Sequence, residues 1–156
     1  SIPTPDYQRD LGEVISALEQ LAVGLAATKI TADELARMEE LFPRTIWGST
    51  PEVLAVKQAD HEFHTIIFQA SRRSELLQLL QRVWDKYHAS NMVHYGPEDW
   101  RKQSELSQTH HRKILEALKA RDAERARKAV ADLWEEDIKL DEKIFARLFN
   151  RENGSG

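Results

Sequence analysis

Apolar residues recur at intervals of three and four through almost the whole chain. Leu11, Val14, Ile15, Leu18, Leu21, Ala22 and Leu25 keep the spacing of one face of an amphipathic helix. Thr31 and Glu34 have the spacing of a capping box at the head of a second helix, which holds Leu35, Met38 and Leu41 and ends before Pro43. Thr50-Pro51 reads as an N-cap with proline at the first helical position. It opens a third helix that carries Leu54, Ala59, Phe63, Ile66 and Ile67. Ser74 is expected to cap a fourth, through Leu77, Leu80, Trp84 and His88, with a break between Asn91 and Pro97. A fifth helix runs from near Pro97 to near Lys119. Asp122 then caps a long sixth with Ala126, Val130, Leu133, Ile138, Ile144 and Leu148 inside. Strand-like alternation never persists, and no internal repeat or linker interrupts the pattern. The reading is an all-α, antiparallel bundle of six to seven helices.

Composition narrows the class. A length of 156 residues suits one domain with a substantial core. The expected division is a linker remnant at 1–6, the helical domain at 7–150 and a disordered or non-native tail at 151–156. A net charge of −4 gives no basic footprint for nucleic acid and no polybasic patch for a membrane. Cysteine is absent, which removes disulfide and thiolate chemistry. No signal peptide opens the chain and no apolar run has the length of a bilayer span, so a cytoplasmic location is expected.

The candidate chemistry lies on the third and fifth helices. Asp60 and His64 are four residues apart, so on a helix a carboxylate stands over an imidazole. His111, on another helix, would add a third donor. Such a set suits Zn, Ni, Mn or Fe. The plainer alternative is a hydrogen-bonded polar pair with a satisfied core histidine. His61 and His110 fall off the same faces and read as surface residues. Trp84, His88 and Asn91 share one face at i, i+4 and i+7. With Asp137 they are the candidate effector-binding residues: Trp84 alone would also suit a core, whereas His88 and Asn91 would need polar partners there, and an effector is one such partner. Trp134 reads as packing.

The order of helices and motifs resembles the effector-binding (FCD) domain of FadR-type regulators in the GntR transcription-factor family. The resemblance covers about residues 7 to 150. It rests on Leu18-Glu19-Gln20-Leu21-Ala22, on Asp60 to His64 as a D-x-x-F-H-type motif followed by Ala70-Ser71, and on His111-Arg112-Lys113-Ile114-Leu115 as H-R-x-I-L followed by Asp122-Ala123-Glu124. It implies a bundle that binds a small carboxylate, often through a metal held by the residues at Asp60, His64 and His111. It also implies a homodimer, and a DNA-binding winged helix that this sequence does not contain.

Two positions depart from the family's pattern. Many members place a further histidine about 22 residues after the one at His111, where this chain has Leu133. Many also carry an arginine on the first helix, near Ile15 and Ser16 here. His88 or Asp137 could stand in for the lost ligand, although Asp137, beside Glu135 and Glu136, reads more readily as a solvated charge. The expected function is a ligand-sensing domain, not an enzyme. The alternatives are a metal-dependent helical-bundle enzyme, or a dimerisation module without ligand. Against the enzyme, there is no repeated Glu-x-x-His pair, no H-E-x-x-H and no nucleophile elbow.

Overall fold

The computed structural model describes residues 2–47 and 52–154. Six α-helices and one 3-10 turn account for nearly all of them: α1 (Pro5–Lys29), α2 (Ala32–Leu41), the 3-10 turn (Phe42–Thr45), α3 (Val53–Ala70), α4 (Ser74–His94), α5 (Pro97–Lys119) and α6 (Ala123–Gly154). No strand occurs among the described residues. The all-α bundle expected from the apolar periodicity is the observed fold.

Local signals set most boundaries. Thr4 caps α1 by accepting from Tyr7 N at 3.2 Å, ahead of Pro5 at the first position. At α2 the box is complete: Thr31 Oγ1 accepts from Glu34 N (3.1 Å) and Glu34 Oε1 from Thr31 N (3.0 Å). Asp122 Oδ1 accepts from Arg125 N at 3.1 Å, heading α6. The turn before it is a Schellman motif, with Asp122 N donating to Ala117 O and Arg121 N to Leu118 O, and it holds Arg121 at φ 54 in the left-handed region.

Several expected boundaries move. Pro5 and Asp6, assigned to the linker remnant, form the first turn of α1. Residues 151–154, assigned to the tail, continue α6. Ser74 is the first residue of α4 rather than its cap, a place taken by Arg73 without a side-chain bond. The break between Asn91 and Pro97 falls at Tyr95 and Gly96, so α4 carries Asn91 in regular helix. The Thr50-Pro51 cap lies outside the described residues.

α1 is the axis of the packing. It lies along α6 for much of its length and touches α3, α4 and α5, while α5 also packs on α6. Gly12 lets two helices close: a Cβ there would stand 2.6 Å from Ile138 Cγ1 and 3.3 Å from the Tyr87 ring. By length and composition α1 is long and apolar enough to cross a bilayer. Here its apolar residues form the core with Phe63, Ile67, Leu80, Ile114 and Val130, and Gln8 and Glu19 are buried with them. α2 and the 3-10 turn close the side where α3 meets α5. That places Thr45 against α5.

Polar groups also enter the second half of the α1, α4 and α6 contact. Asp141 is 1% exposed; it accepts from the Tyr95 hydroxyl and, at 3.2 Å, from Gln8 Nε2. Burial pushes its carboxyl up to about 7, against the Tyr95 hydrogen bond and with help from the charge of Asp137. Because the folded-state value is raised, the native state binds an extra proton, and this contribution to stability is lost as pH climbs from the unfolded value of 3.8 through about 7. Asp141→Asn removes that loss. Its melting temperature relative to wild type should therefore rise between pH 5 and pH 8, the free-energy gap approaching 4 kcal/mol at most, taken from about three units at ~1.36 kcal/mol each. A pH-independent difference in melting temperature would refute the assignment.

Candidate metal centre

One helical turn separates Asp60 from His64 on α3, and both face α5 and α1. Asp60, His64 and His111 are all buried, and one ligating atom of each lies within 4.8 Å of the other two. The edges are short. His64 Nε2 is 3.1 Å from His111 Nε2. Asp60 Oδ1 is 3.2 Å from His111 Nε2 and 3.6 Å from His64 Nε2. Three donors about 2.0–2.2 Å from one ion at tetrahedral angles stand roughly 3.3 Å apart. The donor set therefore fits a divalent ion.

Each imidazole is oriented from behind. His64 Nδ1 donates to Glu19 Oε2 at 2.5 Å, and the other oxygen of Glu19 accepts from Trp134 Nε1 at 2.6 Å. His111 Nδ1 donates to Thr45 Oγ1 at 3.3 Å, while that hydroxyl donates to Phe42 O at 2.8 Å. With both Nδ1 atoms engaged, both Nε2 atoms face Asp60 Oδ1. This is the arrangement by which outer partners fix the tautomer of a metal-ligating histidine. The second oxygen of Asp60 accepts from Lys57 Nζ at 3.3 Å, and Lys57 also donates to Gln103 Oε1 and lies 4.9 Å over the Trp100 ring.

The charges follow from these contacts. Burial pushes the Asp60 carboxyl up, but Lys57 and the His111 hydrogen bond hold it well below the usual carboxylate range. Burial opposes the imidazolium of His64, yet the charge and hydrogen bond of Glu19 outweigh it and the group is raised. His111 is lowered, burial outweighing Asp60. A metal must thus displace a proton from His64, and metal affinity should increase with pH through that titration.

The other predicted residues divide. Trp84 packs its ring 4.9 Å from that of His64 and 4.1 Å from that of His88. With Asp60, His64, Leu133 and Asp137, Trp84 and His88 line a cavity of about 10 Å³, room for one ion or water. His88 stands outside the converged donor set. Its Nδ1 donates to Trp84 O at 3.0 Å, and burial lowers it to about 3, so it is neutral. Asp137 is 4% exposed, not the solvated charge expected beside Glu135 and Glu136; it accepts from Tyr87 Oη (3.0 Å) and Gln103 Nε2 (3.2 Å). Asn91 is buried but accepts from Gln8 in the Asp141 cluster and is not in the cavity wall.

Two histidines assigned to the surface are corrected. His110 is 5% exposed, with Nε2 on Glu136 at 2.7 Å. His61 is half-buried and stacks on Trp84 at 5.5 Å. Trp134 packs as expected, and it also holds Glu19. Sequence reasoning missed Glu19, Thr45, Lys57 and Gln103. Leu133 occupies the cavity wall at the place of the family's further histidine, and Ile15 is fully buried in apolar core.

A family profile described as "FCD domain" matches residues 10–136. Two curated relatives, each named "Putative L-lactate dehydrogenase operon regulatory protein", from Escherichia coli (strain K12) and Shigella flexneri, are 29% identical over 131 residues, covering 81% of this chain. The chain spans 48% of their length, about half. Among solved structures, E. coli McbR/YncC aligns with a TM-score of 0.72 and 21% identity, over 90% of this chain and 65% of that one. The profile spans most of the chain and the bundle is shared, so the chain belongs to the FCD domain family, the regulatory domains of GntR-type transcription regulators.

Proposed function

We propose that this domain is a metabolite sensor. It holds a divalent ion, Zn, Ni, Mn or Fe by its donor types, through Asp60, His64 and His111, and takes a small carboxylate beside it. The observation that carries the reading is the convergence of three buried donors with both Nδ1 atoms tied back by Glu19 and Thr45. When bound, the ion supplies a fixed positive charge and open positions for a carboxylate oxygen. The chain itself excludes bulk water, orients the imidazoles and leaves the position at Leu133 without a donor. The relatives' printed name makes a short hydroxy acid, L-lactate, the first acid to test.

The cavity leaves no room for such an acid without side-chain movement. Trp84 and His88 form its α4 wall, and another side of the same helix exposes Leu79 and Val93. Tyr7, Val14 and Leu21, seven residues apart on α1, add an exposed apolar stripe. We read these faces as the surface for a second copy, with α4 carrying the change at the site to the dimer and to a DNA-binding domain outside this chain. The three carboxylates weighed for an enzymatic role are committed to other contacts: Glu19 and Asp60 are engaged, and Glu62 is exposed and paired with Arg37 at 2.7 Å.

Native mass spectrometry with metal analysis tests the proposal. The expected result is one divalent ion per chain, a dimer mass, and saturable uptake of a short monocarboxylate without turnover. A metal-loaded protein that takes up no small acid at millimolar concentration would overturn the sensor reading.

A further inference from the structure

Outside the buried cavity, between α3 and α4, lies a groove of about 250 Å³. Its walls mix apolar Leu54, Ala89 and Met92 with polar Gln58, His61 and Asp85, and it shares Trp84 and His88 with the cavity. Among the described residues, Lys57 is the sole lysine or arginine lining either space. Its side chain is only 10% exposed and sits at the border: it lines the groove while Nζ reaches Asp60, a cavity residue. An ammonium has three donors. Lys57 spends two, both at 3.3 Å, on Asp60 Oδ2 and Gln103 Oε1.

Asp60 already divides its carboxylate between the two sides: Oδ1 faces the histidines and Oδ2 faces Lys57. A ligand carboxylate entering from the groove meets the same two neighbours, the ion position and Lys57 Nζ. Resting on the sensor reading, we propose that Lys57 is the residue that recognises the effector's carboxylate, with the remainder of the acid lying in the α3–α4 groove. The single cation beside the ion position selects an acid over its neutral amide, and the Asp85 carboxylate in the groove wall disfavours a polyanion.

The test compares metal-loaded wild type, Lys57→Met and Lys57→Arg by calorimetry. The probes are L-lactate and acetate, each against its neutral amide, L-lactamide and acetamide; metal affinity is measured separately with a chromogenic chelator. Wild type should prefer an acid to its amide. Compared at saturating metal, Lys57→Met should lose about 10- to 100-fold in acid affinity, the worth of a charged hydrogen bond, with amide binding nearly unchanged and the ion still held, and Lys57→Arg should keep the preference. A Lys57→Met protein that still prefers the acid overturns this inference alone. Loss of metal together with acid overturns it too, because Lys57 then merely positions Asp60. A wild type that binds neither acid better than its amide removes both this inference and the carboxylate reading.

Discussion

Glu19→Ala will destabilise the domain by about 3–5 kcal/mol, the usual cost of removing one partner from a buried charge pair. It will also lower divalent-metal affinity by about 10- to 100-fold, as loss of an outer partner does in metal sites. Glu19 is wholly buried at the middle of α1 and joins two helices: one oxygen takes His64 Nδ1 from α3, the other Trp134 Nε1 from α6. Alanine leaves both donors in an apolar core without acceptors, and frees the His64 ring to turn its lone pair from Asp60. Glu19→Gln separates the effects. Its amide oxygen can keep one of the two donors, so most of the fold should survive, but the charge that raises His64 is gone. Denaturant melts and chelator competition on the two variants read the terms independently. If Glu19→Ala melts and binds metal like wild type, the outer carboxylate has no role in the site.

The helices were legible because their causes are local. Caps at Thr31 and Asp122 act over three or four residues, and the apolar stripe of α1 recurs every turn. Asp60 and His64 were legible for the same reason, since the i, i+4 relation is fixed by the helix itself. His111 needed a motif, because nothing local says which helix will face α3. Glu19 left a signal that was not used. It falls on the buried phase of α1 between Ile15 and Ala22, where a carboxylate must find partners. Lys57, one turn ahead of Asp60, left the same kind of signal.

Other residues were hidden by tertiary contacts. Thr45 comes from an irregular turn whose place against α5 is set by packing. His110 was assigned to the surface because helical phase points it away from His111. α5, however, is covered by α6 on one side and by α2 and the 3-10 turn on another, so its buried arc takes in both histidines. Asp137 stood among Glu135 and Glu136 and read as one more solvated charge. The Tyr87 hydroxyl and the Gln103 amide that draw it inward lie on other helices.

His64→Ala should abolish metal binding, and Leu133→His should strengthen it. His64 supplies one edge to each of the other donors, at 3.1 Å and 3.6 Å, so its loss leaves Asp60 and His111 as a two-donor site open to water. Leu133 is 4% exposed and lines the cavity that Asp60 and His64 line from α3. A histidine there is close to leucine in bulk and would place a fourth donor on the side now left apolar, giving the closed four-ligand set typical of structural ions. The expected gain is at least tenfold in affinity, about 1.4 kcal/mol, read by chelator competition. The same variant should bind a short carboxylate more weakly, because a protein nitrogen then occupies a position the acid would take. Opposite shifts of metal and acid affinity in one variant are what a shared ion predicts and a polar core does not. Should His64→Ala leave metal content and acid affinity untouched, Asp60, His64 and His111 are a hydrogen-bonded core cluster and nothing more.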